Sequence, residues 1–185
     1  SMAIAASKLS SLKEKKIFKS LKKIKEVDGR LELVKRFPNN IKVFIDYAHT
    51  PDALSKVLQS LESNYRNNIS LVFGCGGDRD KKKRSLMAKV ADGYCRKIYV
   101  TDDNPRNEDP KKIRNEIIKN IKFNKYFNIG NRAEAIKKAI MNSEQNEVVL
   151  IAGKGHEEKQ IYKNKIFFTS DKKIVKNLKL RIKLF

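Results

Sequence analysis

Apolar residues follow two alternating rhythms along this chain. Short runs rich in β-branched side chains occur at Ile41 to Ile45, Ile69 to Phe73, Lys97 to Val100, Tyr126 to Ile129 and Glu147 to Ala152. Such runs, without polar alternation, are strands buried on both faces of a parallel sheet. Between them the apolar spacing turns helical: Leu54, Val57, Leu58 and Leu61; Leu86, Met87, Val90, Ala91 and Tyr94; Ile113, Ile117 and Ile121; Ile136, Ala139 and Ile140. Each set makes one inward stripe on a helix. Thr50-Pro51-Asp52 and Asp109-Pro110 supply an N-cap followed by proline at the first helical position. Asn131 and Glu134 form a capping-box pattern.

The ends read differently. Leu31, Leu33 and Phe37 alternate with charged residues, as in an edge strand. Ile161-Tyr162 and Ile166-Phe167-Phe168 flank Lys163-Asn164-Lys165, a hairpin pattern. Ser170 can cap a last helix carrying Ile174, Val175, Leu178 and Ile182. The alternation predicts an α/β fold, a doubly wound, mostly parallel sheet with an antiparallel C-terminal strand. Leu9, Leu12, Ile17, Leu21 and Ile24 recur at helical spacing among lysines, and Asp28-Gly29-Arg30 breaks that pattern. Residues 1–27 are therefore expected to be a helical appendage with a basic solvated face, and 28–185 the main domain. The Ser before Met2 reads as a tag remnant and points to a fragment.

Composition narrows the class. With 40% hydrophobic residues in 185, the chain can bury a core. Nothing approaches the roughly 18 consecutive apolar residues of a membrane span, so no membrane partner is expected. Cys75 and Cys95 form no CxxC pair, which favours a reduced, cytoplasmic setting. Two histidines, His49 and His156, make a zinc site a poor fit. The formal charge of +21 raises nucleic-acid binding as a rival reading. The lysines, however, are spread over every segment, and no recognised nucleic-acid-binding signature accompanies them.

The chemistry gathers on loops that leave strand carboxyl ends, at 46–52, 74–80, 101–106 and 153–157. In an open α/β sheet these share one edge, where ligands bind. Thr101-Asp102-Asp103-Asn104-Pro105-Arg106 is the most telling. Pro105 stiffens it, and Arg106 offers a planar fork for a carboxylate or phosphate. Gly74-Cys75-Gly76-Gly77-Asp78-Arg79-Asp80 is neither GxGxxG nor a P-loop, and its glycines allow close backbone approach. Gly153-Lys154-Gly155-His156-Glu157 read alone is a turn as readily as a site. Neither histidine has a nucleophile partner at relay spacing.

Five blocks in order, Asp46-Tyr47-Ala48-His49-Thr50-Pro51-Asp52-Ala53-Leu54, Phe73 to Lys81, Thr101 to Arg106, Asn131 to Ile136 and Ala152 to Glu157, resemble the C-terminal domain of the Mur ligases. The likeness covers about residues 28–183 and is closest to the branch that adds meso-diaminopimelate to UDP-MurNAc-L-Ala-D-Glu in peptidoglycan synthesis. It implies a Rossmann-like domain of a cytoplasmic, ATP-dependent acid–amino-acid ligase acting through an acyl phosphate, with ATP and Mg2+ held mainly by a central domain. It implies meso-diaminopimelate contacts from Arg79, Asp103, Asn104, Pro105, Arg106, Gly153 and Glu157, and ATP-side contacts from Asp46, His49, Thr50, Asp78 and Asp80. It assigns no metal ligand and no catalytic residue to this chain. In the family Asn-Pro-Arg accompanies diaminopimelate and Asn-Pro-Ala accompanies lysine, so Arg106 selects diaminopimelate. A folylpolyglutamate-type ligase domain has similar architecture, but the Asn-Pro-Arg and Gly-Lys-Gly-His-Glu blocks speak against it. The helix at 3–26 resembles the tail of the central domain. No GxxxxGK[ST] segment is present, so this chain alone is expected to be inactive; a monomer is expected.

Overall fold

A computed structural model describes residue 10 and residues 13–21, 27–65, 68–123 and 125–180. Most of the expected N-terminal helix lies outside the described residues; helix α1 spans Glu14–Leu21 within it. The domain is built around a six-stranded sheet of β1 (Glu32–Phe37), β2 (Ile41–Asp46), β3 (Ile69–Phe73), β4 (Lys97–Val100), β5 (Lys125–Asn128) and β6 (Val148–Ala152), in the order β1-β2-β6-β3-β4-β5. All pairs are parallel except β1 with β2. β3 and β6 lie at the centre and are buried at every residue, which is why they carry no polar alternation. β5 is an edge strand and mostly exposed.

Helices α2 (Pro51–Glu62), α3 (Lys82–Tyr94) and α4 (Pro110–Ile118) cover one face. They seal a core of Leu54, Leu58, Met87, Ala91, Ile113 and Ile117 against Ile69, Leu71, Phe73, Ile98 and Leu150. Helices α5 (Arg132–Met141) and α6 (Asp171–Asn177) cover the other face, with Ile136, Ile140 and Val175 packed on Val43, Ile45, Val72, Tyr99 and Ile151. Each fully buried Leu, Ile or Met contributes about 1.5–3 kcal/mol by leaving water. The predicted caps form: side chains of Thr50, Asp109, Asn131 and Ser170 accept from amides at the starts of α2, α4, α5 and α6. The doubly wound arrangement expected from the alternation is thus present.

Three details differ from the expectation. The expected C-terminal hairpin forms, β7 (Lys159–Tyr162) with β8 (Lys165–Phe168), but as its own two-stranded sheet and not as part of the main one. The antiparallel strand of the main sheet is the N-terminal β1. A register shift between Leu33 and Lys35 breaks the alternation in β1, so Val34 and Phe37 pack inward and Glu32 is buried. Leu86, placed on the inner stripe of α3, points outward and is 49% exposed, because Met87, Ala88 and Ala91 form the contact face. Ile182 lies outside the described residues.

Candidate functional site

The loops after β2, β3, β4 and β6 converge on a cleft of about 450 Å³ at the carboxyl edge of the sheet. It is lined by residues of all four, among them His49, Thr50, Arg79, Asp80, Asp103, Asn104, Arg106, Gly153 and Glu157. Strand order produces this: β6 sits between β2 and β3, so three loops from distant parts of the sequence leave adjacent strands.

Arg106 sits where the loop after β4 meets the hairpin. Its backbone is left-handed, at φ +52°. Two backbone hydrogen bonds hold it there: its amide donates to the Ile161 carbonyl at 3.0 Å, and its carbonyl accepts from the Lys163 amide at 2.6 Å. Nη1 donates to the Gly77 carbonyl at 2.8 Å and more weakly to that of Asn104 at 3.3 Å. A Cβ on Gly76 would come within 2.8 Å of Nη1, so glycine there lets the guanidinium lie over the turn.

Acidic groups gather at the β6 side. Asp103 is 9% exposed, and its Oδ2 lies 3.0 Å from where a Cβ on Gly153 would stand. Gly153 has φ +108°, a conformation that favours glycine. Glu157 Oε2 accepts from Asn104 Nδ2 at 3.2 Å and from Lys154 Nζ at 3.1 Å. Asn104 Oδ1 accepts in turn from the Ile161 amide at 3.0 Å. Lys154 is fully buried. A buried ammonium is tolerated only when paired, and Glu157 with the Lys159 carbonyl provides the pairing. Tyr47 forms part of the wall. It stacks on His156 at 5.7 Å, meets His49 edge-on at 4.7 Å and carries Arg30 over its ring at 4.8 Å. Burial, then the charge of Glu157, pushes its phenol above the ordinary tyrosine value.

Three of the residues singled out from the sequence do not line the cleft: Asp46, Asp78 and Pro105. The Asp46 carboxylate accepts from the Leu31 and Ala48 amides, each at 2.7 Å, and so fixes the strand end. Asp78, at φ +52°, turns its carboxylate to the Asn107 side chain and amide. Pro105 presents its carbonyl to Gly77, where a Cβ would come within 1.9 Å. Asp80 lines the cleft, and its carboxylate also accepts from the Lys82 amide at 2.8 Å, just ahead of α3. Sequence reading missed Lys83, whose Nζ donates to the His49 carbonyl at 3.0 Å across the cleft. It also missed Arg84 and Glu108, whose pairing becomes visible only once α3 and the loop after β4 are adjacent. Cys75 is inert structurally, its thiol pushed up to about 12 by burial. Among the described residues no group of three or more His, Cys, Asp or Glu side chains is placed to hold a metal ion.

The fold and cleft define a doubly wound α/β domain with a mixed-charge ligand site at the strand carboxyl edge. The chain belongs to the Mur ligase family, matching "Mur ligase, glutamate ligase domain" over residues 29–155. It is 48% identical over 162 residues to the UDP-N-acetylmuramoyl-L-alanyl-D-glutamate–2,6-diaminopimelate ligase of Rickettsia montanensis, covering 86% of this chain and 33% of that protein. The protein of the same name from Wigglesworthia glossinidia brevipalpis is 48% identical over 168 residues, with 87% and 33% covered. A solved structure of a ligase of this name superposes with a TM-score of 0.75 at 34% identity, covering 94% of this chain and 36% of that one. A folylpolyglutamate synthase from Thermotoga maritima is more distant, at TM-score 0.55 and 26% identity over 77% of this chain and 31% of that one. The chain spans about a third of the length of the curated relatives it matches.

Proposed function

We propose that this chain is the amino-acid-binding part of an ATP-dependent ligase that joins meso-diaminopimelate to UDP-MurNAc-L-Ala-D-Glu. The observation that carries the reading is the division of charge in the cleft. Arg79 and Arg106 enter from the loops after β3 and β4, while Asp103, also from the loop after β4, lies against Gly153 and Glu157 enters from the loop after β6. Meso-diaminopimelate carries a carboxylate and an amine at each end. The arginines suit its carboxylates through charge-assisted hydrogen bonds, and the acids accept from its ammonium groups. Lysine has the distal ammonium but lacks the distal carboxylate, so it would leave an arginine unpaired.

In this reading the acceptor's terminal carboxyl is activated as an acyl phosphate, and the bound amine attacks it. The residues described above bind and orient the amine; no proton transfer is assigned to them. His49, Thr50 and Asp80 form the ATP-facing rim, with Asp46 and Asp78 shaping its loops from behind. ATP and Mg2+ are held mainly by a central P-loop domain of the full-length ligase, and the chain alone is inactive. Residues 1–27 are the helical tail of that central domain, and 28–185 form the C-terminal, amino-acid-binding domain. The reading includes a monomeric, cytoplasmic enzyme. No helix among the described residues is long and apolar enough to cross a membrane.

The test is a ligation assay of the ligase carrying this chain, with UDP-MurNAc-L-Ala-D-Glu, ATP and either meso-diaminopimelate or L-lysine. Meso-diaminopimelate is expected to be preferred by kcat/KM on the order of a hundredfold or more, because a polar site group left unpaired costs heavily. Equal use of both amino acids, or use of neither, refutes the reading.

A further inference from the structure

The two arginines of the cleft stand on separate loops, and a buried ion-pair cluster behind the cleft ties those loops together. Arg84, on the first turn of α3, is 1% exposed. Its Nη1 donates to Glu116 Oε2 at 2.7 Å and its Nη2 to Glu108 Oε1 at 2.8 Å; the Gly76 carbonyl lies 3.4 Å from Nη2. Glu108 Oε1 also accepts from the Asp78 amide at 2.7 Å. One carboxylate oxygen thus joins the residue next to Arg79 with a segment that begins two residues beyond Arg106. The Asp78 carboxylate answers in the opposite direction, accepting from the Asn107 amide at 3.2 Å and Nδ2 at 2.8 Å.

The same seam is tight at the backbone. The Gly77 amide donates to the Asn104 carbonyl at 2.9 Å, and Arg106 Nη1 donates to the Gly77 carbonyl. A buried guanidinium is costly unless acids satisfy it, and here two acids from different segments share it. Glu108 is held ionised as a result, its carboxyl drawn down to about 2 first by Arg84 and then by the Asp78 amide. Neither Arg84 nor Glu108 lines the cleft.

We infer that Glu108, backed by Arg84, is a positioning residue that sets the placement of Arg79 relative to Arg106 and so the preference for a ligand with two separated carboxylates. This rests on the function proposed above. Losing Glu108 frees the Asp78 amide, leaves the Arg84 guanidinium with Glu116 and the distant Gly76 carbonyl, and lets the glycine turn drift from the loop after β4. Both arginines stay present, so any loss comes from their geometry. Among the described residues, the hydrogen bonds and ion pairs of Glu108 go to Asp78, Lys81 and Arg84 and none to the loop at His49 and Thr50.

The experiment compares Glu108→Ala and Glu108→Gln with wild type in the ligase carrying this chain. It measures KM and kcat for meso-diaminopimelate and for ATP, the kcat/KM ratio of meso-diaminopimelate to L-lysine, the Tm, and meso-diaminopimelate binding by calorimetry. Glu108→Ala is expected to raise KM for meso-diaminopimelate roughly ten- to a hundredfold, the scale of a misplaced binding group, with weaker calorimetric binding. KM for ATP is expected to stay within about twofold, and the margin over lysine to narrow. Glu108→Gln keeps an acceptor for the Asp78 amide and is expected to recover most of the loss. Parallel rises in both KM values, an unchanged margin over lysine, or unchanged binding in a folded Glu108→Ala protein would overturn the inference. A wild-type ligase that does not use meso-diaminopimelate removes the functional reading itself. A selective defect in Arg106→Ala without one in Glu108→Ala removes the positioning role alone.

Discussion

Arg132 and Asp171 meet as a bidentate pair under the carboxyl end of β6, each side chain 1% exposed. Nε and Nη2 of Arg132 donate to the Asp171 carboxylate at 2.9 and 2.8 Å, and Nη2 also donates to the Ala152 carbonyl at 3.0 Å. The pair locks the starts of α5 and α6 to Ala152, the last residue of β6. Asp171→Ala leaves the guanidinium buried without its anion, and a loss of about 3–5 kcal/mol is expected in urea unfolding. Arg132→Met combined with Asp171→Leu should recover most of it, since an apolar pair of similar size carries no desolvation cost.

The two glycine turns behind Tyr47 touch at the backbone. A Cβ on Gly29 would stand 2.5 Å from the His156 amide nitrogen, and Gly29 has φ +67°. Gly29→Ala is expected to destabilise the domain by about 1–3 kcal/mol, through strain and a clash that only a backbone shift relieves. Gly93, in α3, has open space around its missing Cβ. There Gly93→Ala should stabilise by about 0.5–1 kcal/mol. Paired melting curves of the two variants check both signs.

Acid sensitivity follows from Glu108. Its folded pKa of about 2 lies below the ordinary 4.5, so the carboxylate adds stability that is present above about 4.5 and fades as pH falls toward 2. Glu108→Gln removes that titration. Chemical denaturation between pH 2 and 5 should show a shallower loss of stability with acid in the variant than in wild type. Identical slopes would mean that Glu108 does not carry the effect.

Much of this was legible in the sequence because the physics is local. Buried parallel strands need continuous apolar runs, and Ile69–Phe73 and Val148–Ala152 have them. Helix starts need caps, and Thr50, Asp109, Asn131 and Ser170 provide them. The cleft was foreseeable from the polar loops at strand ends. What stayed hidden depends on partners distant in sequence. Arg84 reads as one more charge in Lys81-Lys82-Lys83-Arg84 until Glu108 and Glu116 are brought beside it. Asp78 looks like a ligand until its left-handed backbone turns the carboxylate toward Asn107. Lys154 lies in a segment that reads as a turn, yet it is buried against Glu157 and the Lys159 carbonyl. The shift in β1 is likewise invisible to an alternation pattern, because it is set by pairing with β2.

The central claim is that Arg106 receives a carboxylate of the incoming amino acid. The most direct measurement is steady-state kinetics of Arg106→Ala in the ligase carrying this chain, with meso-diaminopimelate and ATP varied in turn. Losing a charge-assisted contact should raise KM for meso-diaminopimelate at least tenfold, about 1.4 kcal/mol or more, while leaving that for ATP nearly unchanged. An equal rise in both constants, or no rise in either, would contradict it.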